Sequence, residues 1–509
     1  MADAFVDLSP DDSPIFLYEH DGDRVRQVLW GDSLRLDPTA SPDPDWTFIL
    51  WGLSDDNLQR LKIRAEFVTQ TRPLEVIFVD VGQGDGCVLI TPEREGSERI
   101  MVIDAGKAHH MAEFLHDRFK IIDNEANLTF HAAIITHPDE DHYGGFEPIF
   151  RDTKAKFKHL YHSGLVERPV AGQFEKLGGK TKIEGVDTVS YLRDLAVTDA
   201  RTRALFQPPP KTFSYPKMIR AALDRNAVGK YAMVSTLHGD KKNGRRWLPG
   251  FGPAGDQTYT IEVLGPWAEM DADGKPKLRV FDSDYGKTKN GHSVILRLQY
   301  GQFSVLFGGD LNTPAEKFLL TRHTGIAKWP TTIVERDVFI AEARQTFKSD
   351  VLKVCHHGAA DVTDEFLSAV NPAAFVISSG DQEGHVHPRP DLLGRLGRNG
   401  RGFSPVLLST ELQRSTRERE DEDLAIELQD LVAKQVQGPA TAPRTVRIAN
   451  LIRELARTNV EVDGAIYLKT DGERLITAFR NEVNSEKEKW FYFRYKIENG
   501  MLIPVSIGG

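Results

Sequence analysis

His137, Asp139, Asp141 and His142 put four side chains able to ligate a metal into six positions, directly after the apolar run Ala132–Thr136. A loop leaving a strand end can turn His137 and Asp139 toward one cation while Asp141 and His142 face a second. Tyr143-Gly144-Gly145 follows, and the glycines let the next backbone pack closely at that edge. Two adjacent cations can hold a hydroxide between them and lower the pKa of its parent water into the neutral range, so hydrolysis needs no Ser or Cys nucleophile. Cys355, beside His356, reads as a buried strand-end residue.

The elements that must position these residues follow from hydrophobic patterning. Val- and Ile-rich runs read as buried strands at Glu75–Val81, Gly86–Thr91, Arg99–Ile103, Ala132–Thr136, Thr258–Leu264, Ser293–Tyr300, Gln302–Phe307, Val351–Cys355 and Ala373–Ser378. Helical segments read at Ala108–Phe119, Pro314–Thr321, Thr363–Val370 and Pro390–Leu396. This mixture indicates a layered domain of strands and helices, α+β or α/β. Residues 1–70 read as an N-terminal addition, a small β-rich module with a polar helical stretch at Asp55–Ala65. The main domain spans 71–410, with an insertion at about 165–257; 411–457 is a highly charged helical insertion, and 458–509 returns strands that complete the domain.

The chain has 64 Lys+Arg against 74 Asp+Glu, a formal charge of −10, which excludes a uniformly basic nucleic-acid coat but leaves room for a local cationic groove. No apolar run reaches the roughly 18 residues of a membrane span. The acidic start is unlike a secretory signal, and two cysteines suit a reducing compartment, so a cytoplasmic location is expected.

Five separated motifs, in order, carry a family resemblance. They are Val79-Asp80-Val81-Gly82-Gln83-Gly84-Asp85, Ile103-Asp104-Ala105-Gly106, the His137–His142 run, Gly308-Gly309-Asp310 after a hairpin, and Cys355-His356-His357-Gly358. Ile377-Ser378-Ser379-Gly380 and Gly384-His385-Val386-His387-Pro388 complete the set. Together they resemble the metallo-β-lactamase fold in its ComEC-type branch, whose best-known member carries this domain on a DNA-uptake membrane channel. The resemblance implies a four-layer αβ/βα sandwich with two divalent cations, Zn²⁺ or Mn²⁺, at one edge. Its ligands would be His137, Asp139, Asp141, His142, a bridging Asp310 and His356, with His162 where many relatives supply a further ligand. The assignment of His356 and His357 could be reversed, His357 then binding metal and His356 facing substrate. Asp104, and either as support or as turn residues Asp80 and Asp85, would stand behind the ligands. Asp141, His357 and His385 would serve catalysis, and His385, His387 and Arg389 would contact substrate.

The expected activity is phosphodiester hydrolysis, with DNA the first substrate and RNA a further one. Arg389, Arg395, Arg398, Arg401, Lys154, Lys156, Lys158 and the Lys241–Arg246 run could steer a polyanion, and Tyr143 and Trp247 could stack on bases. Two other readings stay open: hydrolysis of a smaller ester (a phosphodiester headgroup, thioester or lactone), and a non-catalytic, partner-regulated metal-binding module. A protein partner would dock through residues 1–70 or 411–457.

Overall fold

A computed structural model describes residues 4–508 except 12, 53–57, 94–95, 120–127, 183–188, 208–213, 256, 381–386, 403, 411–421, 456–463, 481–489 and 499–500. The described residues form a mixed α+β structure with several sheets. Residues 1–410 with 464–509 make one compact unit, and 411–463 make a second.

In the larger unit the chain runs through β1 (Leu74–Phe78), β2 (Gly86–Ile90), β3 (Ile100–Ala105), α1 (His110–Phe119), β4 (Leu128–Ile135), α2 (Glu140–Tyr143), α3 (Phe146–Arg151) and β5 (Ala155–His162). Then come α4 (Ser214–Asp224), β6 (Val228–Met233), β7 (Asp240–Lys242), β8 (Arg245–Trp247), β9 (Tyr259–Gly265), α5 (Tyr285–Gly291), β10 (Ile295–Tyr300) and β11 (Phe303–Phe307). Next are α6 (Thr313–Thr324), α7 (Ile333–Phe347), β12 (Val351–Lys353), α8 (Asp364–Val370), β13 (Ala374–Ile377), α9 (Pro390–Asn399) and β14 (Val406–Ser409). The smaller unit holds α10 (Glu422–Gln437) and α11 (Ala442–Leu455), joined by an Arg447–Glu427 ion pair. The larger unit resumes with β15 (Ile466–Thr470), β16 (Arg474–Arg480), β17 (Trp490–Glu498) and β18 (Met501–Gly508).

One sheet has ten strands in the order β6-β5-β4-β3-β2-β1-β15-β16-β17-β18, and the other has eight, β7 through β14 in sequence order. Side chains alternate across each strand, so each sheet buries two faces. Val76, Phe78, Leu89, Met101 and Ile134 meet Leu296, Leu298, Val305 and Val376 between the sheets. Ile77, Val88, Val102 and Ala133 point the other way, under α1, α3 and α4. Leu306, Leu352 and Phe375 pack under α6, α7, α8 and α9. The layer order is helices, sheet, sheet, helices.

Several elements differ from the sequence reading. Residues 59–64, inside the stretch read as helical, form a strand paired with Trp46–Trp51, because alternation buries Leu61 and Ile63 while their neighbours stay wet. The rest of that stretch, 55–57, lies outside the described residues. The range 165–257, read as an insertion, contributes β6 to the ten-stranded sheet and β7 and β8 to the eight-stranded one. Gly229 and Lys230 break the apolar run that would have marked β6. The α7 helix went unread because Ile333, Val334 and Val338 are exposed, and the buried stripe is only Phe339, Ala343 and Phe347.

The returning chain is tied down by charge. Glu75 on β1 is fully buried, with Arg118 of α1 at 3.3 Å, Arg72 at 3.5 Å and Lys469 of β15 at 3.7 Å. Lys469 also reaches Asp32 of the N-terminal region at 3.0 Å. Burial alone would raise the Glu75 pKa, but Lys469, Arg118 and Arg72 outweigh it and hold the carboxyl down to about 2. The folded pKa lies below the unfolded one, so this stabilisation is complete above about pH 4.5 and is lost as pH falls toward 2. Glu75→Gln should therefore destabilise the protein by about 3 kcal/mol at pH 7, as Arg72, Arg118 and Lys469 lose the buried carboxylate they share. Urea unfolding at pH 7 and pH 3 checks this, with the gap between variant and wild type narrowing in acid.

Candidate metal centre

Each candidate residue leaves a strand end at the same edge of the two sheets. His137 follows β4, Asp310 follows β11, His356 and His357 follow β12, and Asp85 precedes β2. A backbone contact joins the two edges, Val294 N–H donating to Thr136 O at 2.9 Å, and on the ten-stranded side Asp85 N–H donates to Asp141 O at 3.2 Å. Gly84 must be glycine here, since φ is +114° and a Cβ would collide with the Asp141 carbonyl.

Asp85, His142, Asp310 and His357 form a fully buried group whose ligand atoms all lie within 4.8 Å of one another, and whose donors could hold a metal ion. The Asp310 carboxylate is its hub. His142 Nε2 lies 3.3 Å from it, His357 Nε2 3.5 Å, and His137 and His356 Nε2 3.8 Å each. Asp141 approaches His357 Nε2 at 3.5 Å and His142 Nε2 at 4.0 Å.

The backs of the imidazoles are held. His142 Nδ1 donates to Asp104 Oδ2 at 2.8 Å, and the same carboxylate accepts from Thr136 N–H and Oγ1. His357 Nδ1 donates to Ser378 O at 3.1 Å. His137 Nδ1 faces Ser293 Oγ at 3.2 Å, a hydroxyl that donates to Asn290 O and accepts from Asp310 N–H. With Nδ1 engaged on all three rings, Nε2 is the nitrogen that each turns toward the centre. The Nε2 atoms of His137, His142 and His357 and Oδ1 of Asp310 are buried without a hydrogen-bond partner. That many orphaned donors and acceptors in one place fit a cation, and the mix of carboxylate and imidazole without thiolate suits Zn²⁺ or Mn²⁺.

The charge on each ring is set by its neighbours. Burial and the neighbouring His142 hold His137 well below the usual imidazole range. At His142 burial is outweighed by Asp310 and Asp104, and at His357 by Asp310 and Asp85, so both rings stay well above it. Asp310, although buried, is held well below the carboxylate range by His142, His357 and His356.

The structure brings some sequence candidates together and parts others. Asp141, His142, Asp310 and His137 converge. The order of the His-His pair is reversed from the favoured one: His357 enters the buried group, whereas the His356 side chain is 31% exposed. Both residues have φ near +50°, a turn that swings His357 inward. Asp85, read as lying behind the ligands or in a turn, stands inside the group and pairs with buried Lys353. Asp80 accepts from Gly82 N–H at 3.0 Å in its own turn. Asp139 turns away to Lys289. His162 is buried at the end of β5, its Nδ1 accepting from Gly164 N–H, and burial lowers its pKa to about 4; it does not join the group. His387 lies with its ring 5.9 Å from His356, Arg389 is exposed, and His385 falls outside the described residues. Lys289 and Lys353 have no site role in the sequence reading, and neither do Ser293, read only as a strand start, and Ser378, placed only within the Ile377–Gly380 motif, because lone polar residues at strand and helix ends carry no local pattern of their own.

Part of the expected basic strip is paired internally. Arg395 and Arg398 pair with Asp364, and Arg401 pairs with Asp350. Tyr143 and Trp247 are buried, so neither offers a face to a base. Both cysteines are free and buried, and burial holds their thiols well above the usual range, which removes Cys355 as a nucleophile.

No family model matches the chain. Among curated proteins, it is similar to ComE operon protein 3 of Bacillus subtilis (strain 168), 21% identical over 337 residues, 64% of this chain. That match spans 31% of the relative's length. No helix among the described residues is long and apolar enough to cross a membrane.

A cation entering the centre must displace the protons that Asp310 keeps on His142 and His357. Zn²⁺ or Mn²⁺ binding should therefore release protons and tighten as pH rises, measured by calorimetry in buffers of different ionisation enthalpy. Asp104→Ala should weaken binding about 10- to 100-fold by freeing the His142 ring; affinity equal to wild type would show that Asp104 does not orient it.

Proposed function

We propose that the protein is a metal-dependent hydrolase of the metallo-β-lactamase type, a phosphodiesterase acting on DNA. The observation that carries this reading is the buried convergence of His137, His142 and His357 Nε2 on Asp310, at one edge of a four-layer arrangement. The likeness to ComE operon protein 3 and the ComEC-type motifs support DNA as the substrate class.

A divalent cation held by Asp141, His142, His357 and Asp310 would supply Lewis acidity and an activated water at neutral pH. The chain's own part is positioning. Asp104, Ser378 and Ser293 hold the three rings so that Nε2 faces inward, and the two sheets exclude bulk water from the carboxylates. Asp310, kept ionised by the imidazoles around it, is the negative centre on which the rest is arranged.

One observation favours a second reading, a smaller phosphodiester or other ester. Arg395, Arg398 and Arg401 are committed to Asp364 and Asp350, leaving fewer cations to track a long polyanion.

The test is cleavage of linear, circular and single-stranded DNA and of RNA by metal-stripped protein resupplied with Mn²⁺, Zn²⁺ or Mg²⁺. DNA cleavage should depend on added metal and fall by at least about 100-fold in Asp141→Ala and Asp310→Ala. Turnover of a small diester with every nucleic acid left intact would replace the DNA reading with the second one. Cleavage that survives both substitutions would place the chemistry elsewhere.

A further inference from the structure

Asp139 is the one member of the His137–His142 run that the structure turns away from the others, and its two oxygens are both committed. Oδ1 accepts from Glu140 N–H at 3.0 Å, capping α2. Oδ2 lies 2.9 Å from the Lys289 ammonium. Lys289 projects from the last turn of α5 and keeps only 10% of its side chain exposed. Its ammonium also lies 3.9 Å from Glu167 and 5.2 Å from the centre of the Tyr285 ring, and the Tyr285 hydroxyl donates to Glu167 at 2.5 Å. One lysine is thus caged by two carboxylates and an aromatic face.

The same turn supplies the rest of the His137 side. Asn290 Nδ2 reaches Asp310 Oδ2 at 3.5 Å, and Ser293 holds His137 Nδ1. A cation on that side would find His137, the Asp310 carboxylate already shared among four imidazoles, and an Asp139 that must first release an ammonium. The other side offers His142, His357 and Asp310 of the buried group, with Asp141 3.5 Å from His357 Nε2, while Asp85 is held by Lys353. The Lys289 side chain is 10% exposed and that of Asp139 36%, and Glu167 gives the ammonium a second carboxylate partner on that side of the centre.

We propose that Lys289 takes the place of the cation on the His137 side, so that the centre holds a single divalent ion, among Asp141, His142, His357 and Asp310. The lysine then puts its ammonium on the His137 side of that ion, a compact point charge suited to an anionic oxygen. This departs from the two-cation centre that the family resemblance implies, and it rests on the metal-hydrolase reading above.

The test counts metal and does not depend on turnover. Metal-stripped full-length wild type, Lys289→Met, Lys289→Arg, Asp139→Asn and Asp141→Asn are equilibrated with Mn²⁺ alone. Metal per chain is measured by mass spectrometry, and electron paramagnetic resonance reports whether two ions sit close enough to couple. Wild type and Lys289→Arg should hold one uncoupled ion. Lys289→Met should hold two with a coupled spectrum, a doubling of stoichiometry. Asp139→Asn should keep the single ion, and Asp141→Asn should lose it. Two coupled ions in wild type, or loss of the single ion in Asp139→Asn, would overturn the proposal even if Lys289→Met failed to fold. One ion in a folded Lys289→Met would overturn it equally. No ion in wild type would remove the metal-hydrolase reading itself, and this inference with it.

Discussion

A carboxylate buried among four imidazoles is the constraint around which this structure is organised. Asp310 has no bulk water to solvate it, so its charge must be met by groups brought from elsewhere in the chain. His137 comes from one sheet, and His356 and His357 from the other. The rings of His137, His142 and His357 arrive with their far nitrogens anchored, so their near nitrogens cannot relax outward to solvent. Two further carboxylates are balanced by lysines, Asp85 inside the buried group by Lys353 and Asp139 outside it by Lys289. The sandwich of sheets is thus both the cause and the beneficiary of the charge balance at its edge.

The parts of this arrangement that could be read in advance share one property: their signal is local. The His137–His142 run sits within six residues of one strand end, and the strands beneath it are short runs of Val and Ile that only a buried sheet accommodates. Signals that depend on distant partners were hidden. The strand Gln59–Arg64 looks polar until Trp46–Trp51 lies beside it and alternation becomes visible. Val228–Met233, with a glycine and a lysine in it, is a strand because β5 provides the ladder.

The site divides along the same line. Which residue types would gather was legible; which way each would face was not. Adjacent histidines at positions 356 and 357 are equivalent in one dimension. Only the two left-handed backbone positions decide that His357 is buried while His356 looks outward. Lys289 and Lys353 are single lysines among many, and nothing beside them marks either as the counter-charge to a particular carboxylate.

The pairing of β1 with β15 carries a consequence for biosynthesis. Phe78 lies opposite Ile466 and Leu74 opposite Thr470, so the inner flank of the ten-stranded sheet has its neighbour almost at the other end of the described chain. On a ribosome adding about 5–20 residues per second, β1 emerges long before that neighbour exists. In the interval the edge of β1 that β15 will cover, and Glu75 without its Lys469 partner, are open to solvent and to any other strand that passes. A chaperone, or a slow commitment of the central sheet, would protect the nascent chain until its last strands are made.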